Sequence, residues 1–160
     1  MKINGLENLV ELLKANNLTI ATCESCTGGG IGAAITSIPG SSEIFLGGII
    51  SYSNEVKNQI VGVEKEALDK FGAVSAEVAS QMAKGVKELL KSDIAVSVTG
   101  IAGPGGATPD KPVGLVWFGL ADSKGNIRTE KKLFQGDRET VRARSVQHAI
   151  GMATVAATNE

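Results

Sequence analysis

The sequence is poor in the residues on which several common chemistries depend. It has one histidine and two cysteines in 160 residues. A four-ligand zinc site fails, because the cysteines form a single C-x-x-C pair and a second pair and a suitable histidine are missing. A Ser-His-acid triad could use only His148, which falls on the apolar stripe of the last predicted helix rather than at a loop edge.

The chain also lacks an excess of charge of either sign. Its 16 Lys and Arg are balanced by 17 Asp and Glu, for a net charge of −1. No positive field is available to hold a polyphosphate backbone, so we do not expect a nucleic acid partner. The first 17 residues are amphipathic and carry charges throughout, unlike a secretion signal or a membrane span. We therefore expect a cytoplasmic protein that makes no membrane contact.

The length and the hydrophobic pattern predict one α/β domain over residues 1–160. Helices alternate with strands and a hairpin comes late, which favours a three-layer α/β/α sandwich on a mixed, mostly parallel sheet. In the first half we expect a helix before Asn16, a strand in 18–25, a helix in 28–40, a buried strand in 44–52 and a short helix capped by Asn54. In the second half we expect a helix capped by Ser75, a strand at 94–100 and a loop at 100–114. A hairpin of 113–122 and 127–134 and a helix from Asp137 follow.

The C-x-x-C pair, Cys23 and Cys26, could be a dithiol redox couple. Thioredoxin-like sites open a helix from a loop, whereas Cys23 is predicted near the end of a strand. The sequence favours two small buried side chains.

Glycine is abundant, with 20 residues gathered mostly at three turns: 28–32, 47–48 and 100–106. Strand-to-helix turns at the carboxyl edge of an α/β sheet gather ligands, because free N–H groups there can bind anions. Tight packing alone could explain any one of these clusters, but three together favour a site. Neither the P-loop nor the dinucleotide-binding glycine spacing is present.

Ser25 lies in Glu24-Ser25-Cys26-Thr27-Gly28-Gly29, where a nucleophile on a strand-to-helix turn would be expected. A serine before a helix can also be only a cap. Lys57, beside Tyr52 at a strand end, is the candidate base, provided that burial lowers its pKa from about 10.4. The alternative is an ordinary solvated lysine.

Three arginines, Arg138, Arg142 and Arg144, fall in the first turns of the last helix, where cations oppose the helix dipole. This placement suggests a bound anion, such as a phosphate or carboxylate. Surface pairing with acidic residues is the alternative.

Together, the motifs ESCTGG, YSNEVK, GAVS, SVTGIAGPGG, KPVG and GDR-x-x-V-R resemble those of the CinA C-terminal domain family, in particular its stand-alone nicotinamide-nucleotide amidases (PncC-type). The resemblance covers residues 5 to 155. It implies hydrolysis of nicotinamide mononucleotide to nicotinate mononucleotide and ammonia, in pyridine nucleotide salvage, with no metal or other cofactor. It also implies a homo-oligomer, a dimer.

The resemblance also implies residue roles. Ser25 would be the nucleophile, Lys57 the general base and Tyr52 its catalytic neighbour. N–H groups after Ser25 would hold the oxyanion, and the 99–106 loop with Arg138 or Arg142 would hold the ribose 5′-phosphate. The residues assigned to substrate binding are Thr27, Gly28, Gly29, Thr99, Gly100, Gly103, Arg138 and Arg142. The competing interpretation is a non-catalytic nucleotide-binding module of the same fold.

Overall fold

A computed structural model describes residues 2–158, which form an open five-stranded sheet in the order β2-β1-β3-β4-β5. β1 is parallel to β2 and β3, whereas β4 is antiparallel to β3 and β5. Four of the five strands therefore point the same way, and the predicted fold class is confirmed. The strands are β1 (Ile20–Glu24), β2 (Phe45–Ile50), β3 (Ile94–Gly100), β4 (Leu115–Ala121) and β5 (Ile127–Leu133).

Helices cover both faces of this sheet. The helices are α1 (Leu6–Ala15), α2 (Gly30–Thr36), α3 (Asn54–Val56), α4 (Lys65–Phe71), α5 (Ala76–Leu90) and α6 (Arg138–Thr158). The core on one face includes residues of α1, α2 and α6, and the core on the other includes residues of α4 and α5. β3 alternates between them, with Ile94, Val96 and Val98 on the α6 side and Ala95 on the α5 side. Both faces of β3 are therefore buried.

Several sequence expectations are confirmed at the level of single contacts. The Ser75 hydroxyl accepts a hydrogen bond from the Val78 N–H at 3.3 Å and so caps α5. The last helix begins beside Asp137 as expected, and the Asp137 carboxylate, which the sequence did not mark as a cap, accepts from the Thr140 N–H at 2.9 Å. The late hairpin and the irregular segment between β3 and β4 are also present.

The expectation of a buried strand at 44–52 is wrong. β2 pairs only with β1 and forms an edge of the sheet. Its alternate side chains are exposed, including Leu46 at 47% and Ile50 at 54%. A continuous apolar run does not distinguish a central strand from an edge strand, because the pattern carries no information on pairing.

The region after β2 differs from the prediction in two ways. Ser53, not Asn54, caps α3, because its hydroxyl accepts the Val56 N–H at 3.1 Å. The chain then continues as a π-helical turn, Lys57–Val61, which places Lys57 in the interior. The sequence reasoning also missed α4. No helix within residues 2–158 is both long and apolar enough to span a bilayer.

Candidate active site

A cleft opens at the carboxyl edge of the parallel strands. β1 ends at Glu24 and β3 at Gly100, so the segments that follow them emerge side by side. The Ser25 N–H donates to the Val98 carbonyl at 3.0 Å, which fixes this junction. The cleft has a volume of about 340 Å³, within the usual range for small-molecule sites. Its lining includes Ser25, Cys26, Tyr52, Lys57, Thr99, Gly100, Gly103 and Arg138.

Ser25 and Lys57 meet in this cleft. The Lys57 Nζ lies 2.9 Å from the Ser25 Oγ. It also donates to the carbonyl oxygens of Ser51 at 2.7 Å and Tyr52 at 3.3 Å. A neutral amine has two N–H groups and one lone pair. If the two carbonyls accept the N–H groups, the lone pair is left facing the Ser25 hydroxyl.

The surroundings of Lys57 favour its neutral form. The residue is only 1% exposed, so it is not a solvated helix lysine. Burial lowers the pKa of the Lys57 amine below its usual value, and the neighbouring thiols of Cys23 and Cys26 oppose this more weakly. In the described part of the chain no carboxylate lies within ion-pair distance of Lys57. The pKa direction is the one that the sequence hypothesis required.

Glu24 holds the turn that carries Ser25, and the sequence reasoning missed this role. The side chain is 2% exposed. Its carboxylate accepts from the Thr27 hydroxyl at 2.6 Å and from the N–H groups of Ile31 and Gly32 at 2.8 and 3.0 Å. Because Gly29 at the N-cap of α2 has no side chain, another group must satisfy these amides. An acidic residue before a glycine-rich helix start was the available signal.

Three predicted binding residues shape the turn and do not line the cleft. The Thr27 hydroxyl is committed to Glu24. The Gly28 N–H donates to the Ser25 carbonyl at 3.1 Å, closing the turn. Gly28 and Gly29 have φ of 59° and 101°, which glycine adopts without strain. Within residues 2–158, the N–H groups of Cys26 and Thr27 are bonded to no other residue.

The segment after β3 forms the opposite wall of the cleft. The Thr99 hydroxyl donates to the Ala73 carbonyl at 2.9 Å and so ties this wall to the segment before α5. Gly100 and Gly103 line the cleft, where the absence of side chains leaves the backbone accessible. The 99–106 loop therefore lies at the cleft, where the sequence analysis expected it.

The two arginines have different surroundings. Arg138 lines the cleft, and its guanidinium donates to the Gly103 carbonyl at 2.8 Å and to the Tyr52 hydroxyl at 3.3 Å. Arg142 is not part of the lining. Its guanidinium donates instead to the carbonyls of Cys26 at 3.1 Å and Thr27 at 3.2 Å. The structure thus brings Arg138, but not Arg142, to the cleft.

Tyr52 contacts Lys57 through its backbone. Its carbonyl accepts from the Lys57 Nζ, whereas its phenol is bonded to Arg138 and the residue is 61% exposed. The side chain therefore stands at the mouth of the cleft.

The remaining candidates lie outside this chemistry. Cys23 and Cys26 are free and buried, and they belong to the cores on opposite faces of the sheet, so they do not form a facing pair. Burial raises the pKa of each thiol to about 11, which keeps it protonated and unreactive. His148 is bonded to Glu130 at 2.9 Å and does not line the cleft. Residues 2–158 contain no group of three or more His, Cys, Asp or Glu arranged to bind a metal.

The fold and the cleft define a three-layer α/β protein with a Ser–Lys pair at the carboxyl edge of its sheet. Comparison with known families gives a match to the model of the CinA C-terminal domain over residues 4–156. The chain belongs to the CinA C-terminal domain family.

Relatives and solved structures agree with this assignment. A putative competence-damage inducible protein of Halothermothrix orenii is 54% identical over 143 residues, which is 89% of this chain and 35% of that protein. A CinA-like protein of Thermotoga neapolitana is 46% identical over 90% of this chain and 35% of its own length. The chain thus spans about a third of the length of these curated relatives.

Among solved structures, a CinA superfamily protein from Klebsiella pneumoniae superposes with a TM-score of 0.92 at 31% identity, covering 98% of this chain and 99% of the other. A competence/damage inducible protein from Agrobacterium tumefaciens gives a TM-score of 0.89 at 37% identity, covering 99% of each chain. The likeness therefore extends over nearly the whole chain.

Proposed function

We propose that this protein is an amidohydrolase that converts nicotinamide mononucleotide to nicotinate mononucleotide and ammonia. The observation that carries the proposal is the 2.9 Å approach of the buried Lys57 Nζ to the Ser25 Oγ inside a cleft. A serine hydroxyl becomes a nucleophile when an adjacent base removes its proton. Lys57 is suited to that task because burial lowers the pKa of its amine.

The first half of the reaction forms an acyl-enzyme. Neutral Lys57 takes the proton of the Ser25 hydroxyl while the Oγ attacks the carboxamide carbon. The tetrahedral oxyanion accepts hydrogen bonds from the N–H groups of Cys26 and Thr27, which donate to no other residue within the described chain. Protonated Lys57 then gives its proton to the departing nitrogen, so that the C–N bond breaks and ammonia leaves.

The second half uses water in place of serine. Lys57, again neutral, takes a proton from a water molecule that attacks the ester carbon. Collapse of the second tetrahedral intermediate releases the carboxylic acid and returns the proton to the Ser25 Oγ. The residues thus end in the state in which they began.

The choice of substrate rests on the motif resemblance and on the wall of the cleft. Arg138 presents a guanidinium beside Gly103, and this residue and the loop backbone can hold one phosphate group. Arg138 uses only two of its five N–H donors on Gly103 and Tyr52, which leaves others for an anion. These features suit a mononucleotide with a single phosphate.

The test is ammonia release from nicotinamide mononucleotide by metal-free protein. We expect turnover by the wild type, and a loss of at least about 10³-fold in kcat for Ser25→Ala and for Lys57→Ala. Lys65→Ala, in the first turn of α4, is the matched lysine control and should retain wild-type activity. A folded wild type that binds the nucleotide by calorimetry without turnover would instead support the non-catalytic binding module.

A further inference from the structure

Arg142 joins the final helix to the turn that follows the nucleophile. From α6 its guanidinium reaches two consecutive carbonyls, donating to Cys26 at 3.1 Å and to Thr27 at 3.2 Å. These residues are 115 to 116 positions apart in the chain. The Nη2 also lies 3.4 Å from where a Cβ on Gly28 would stand, so the guanidinium packs closely over the turn.

Because the peptide bond is planar, the contact with Arg142 also sets the direction of the next N–H group. In a trans peptide the C=O and the next N–H point in opposite directions. The Cys26 carbonyl shares its peptide with the Thr27 N–H. Arg142 lies outside the lining of the cleft and holds that carbonyl, so the Thr27 N–H points away from Arg142.

The neighbouring peptide is fixed by a second hydrogen bond. The Ser25 carbonyl accepts from the Gly28 N–H at 3.1 Å, which sets the direction of the Cys26 N–H. The Thr27 N–H lacks another acceptor within residues 2–158, and the Cys26 N–H contacts only the thiol of its own residue. The guanidinium on the Cys26 carbonyl also polarises that peptide, which strengthens the Thr27 N–H as a donor.

We infer that Arg142 is a positioning residue: it orients the peptide between Cys26 and Thr27 so that its N–H stabilises the oxyanion formed at Ser25. The inference rests on the proposed hydrolysis and replaces the phosphate contact that the sequence suggested for Arg142. Arg142 lies outside the lining of the cleft, and its Nε and Nη2 are already bonded to carbonyls.

The kinetics of Arg142→Met and Arg142→Lys test this role. Loss of an oxyanion donor lowers kcat by about 10² to 10³-fold, and we expect about 10- to 100-fold for Arg142→Met because the donor is misdirected rather than removed. KM should change by less than about twofold, since no substrate contact is lost. Lysine can reach one carbonyl only and should restore part of kcat. Arg144→Met, exposed on the same helix, is the matched control, and thermal unfolding reports whether each variant is folded.

A phosphate role gives the opposite pattern. It predicts a raised KM with little change in kcat, and an effect that disappears with nicotinamide riboside, which has no phosphate. Either result would overturn the inference.

A second assay separates this inference from the proposed substrate. Acetylation of Ser25 by p-nitrophenyl acetate needs the nucleophile and the oxyanion donors but no nucleotide. We expect Arg142→Met to slow acetylation by a factor similar to that for kcat. If the wild type releases no ammonia while this effect persists, the substrate assignment fails and the role of Arg142 stands. If ammonia is released and acetylation is unaffected by Arg142→Met, the role of Arg142 fails alone.

Discussion

Lys57 is held by three polar neighbours: the Ser25 hydroxyl and the carbonyls of Ser51 and Tyr52. The two carbonyls accept more strongly from an ammonium than from a neutral amine, so they favour the charged form, but neither carries a full negative charge. Desolvation is the largest influence on this amine and lowers its pKa. A lysine, which most often carries a surface charge, is thus buried where its neutral form is favoured.

This pKa direction predicts how activity depends on pH. If neutral Lys57 is the active form, kcat/KM should rise with pH through the pKa of Lys57, which burial lowers from its ordinary value of about 10.4. The measurement is the pH profile of ammonia release between about pH 6 and pH 10. Lys57→Arg keeps a cation of similar length that does not deprotonate, and it should be inactive throughout. A flat wild-type profile over this range would contradict the assignment of Lys57 as the base.

Among the elements, the π-helical turn Lys57–Val61 depends on its contact with α5. A Cβ on Gly85 of α5 would stand 2.1 Å from the Val61 carbonyl oxygen and 2.8 Å from a Val61 methyl. Backbone atoms cannot give way as a side chain can. The close approach allowed by Gly85 therefore lets the turn that carries Lys57 lie against the helix.

Two helical glycines make a matched pair for testing this dependence. We expect Gly85→Ala to destabilise the protein by about 1 to 3 kcal/mol and to lower kcat, because the turn must move with Lys57 on it. Gly151→Ala in α6 meets nothing within 4 Å and should stabilise by about 0.5 to 1 kcal/mol with unchanged activity. Chemical denaturation and ammonia release measure both effects. Equal stabilities for the two variants would show that the π-helical turn is free to shift.

The helices and strands show which features of the fold can be predicted from sequence patterns. Helical and strand periodicities, with Ser75 as a cap, predicted most elements and the class of fold, because these are local properties of the chain. The edge position of β2 depends on pairing, which a hydrophobic run does not encode. The π-helical turn after α3 depends on the packing of Gly85, a contact between residues 24 positions apart.

Some residues of the candidate site could also be predicted from the sequence, and others could not. Ser25, Lys57 and the 99–106 loop could be found because turn chemistry and motifs mark them. Arg142 could not be assigned, since a cation at a helix start is compatible with a phosphate and with two carbonyls of a distant turn alike. Only the folded chain distinguishes these partners.

For the molecule as a whole, the buried amine of Lys57 couples stability to pH. Its pKa is lower in the folded state than in the unfolded chain, where it is about 10.4. Between these two values the unfolded chain binds more protons than the folded one, so this residue makes stability rise with pH. Below the folded pKa the amine is charged in both states, so the folded state is destabilised in full by the buried charge. Above about 10.4 the amine is neutral in both states and this destabilisation is absent.

A comparison of the wild type with Lys57→Met isolates this coupling, because other groups titrate alike in both. We expect the free energy of unfolding of the wild type to rise relative to that of Lys57→Met as the pH rises towards about 10.4. The slope of this difference should be at most about 1.4 kcal/mol per pH unit for one proton. Urea denaturation at a series of pH values gives both curves. Parallel curves would mean that Lys57 has an ordinary pKa in the folded state.

The order of the strands also governs when the cleft can exist during synthesis. β1 emerges early but lies between β2 and β3, and the turn after it is bonded to Arg142. A ribosome that has made only the first hundred residues has therefore released Ser25 and Lys57 but not Arg142, which is bonded to the turn beside them. The nascent chain should remain chemically silent until α6 has left the exit tunnel and packed on the sheet.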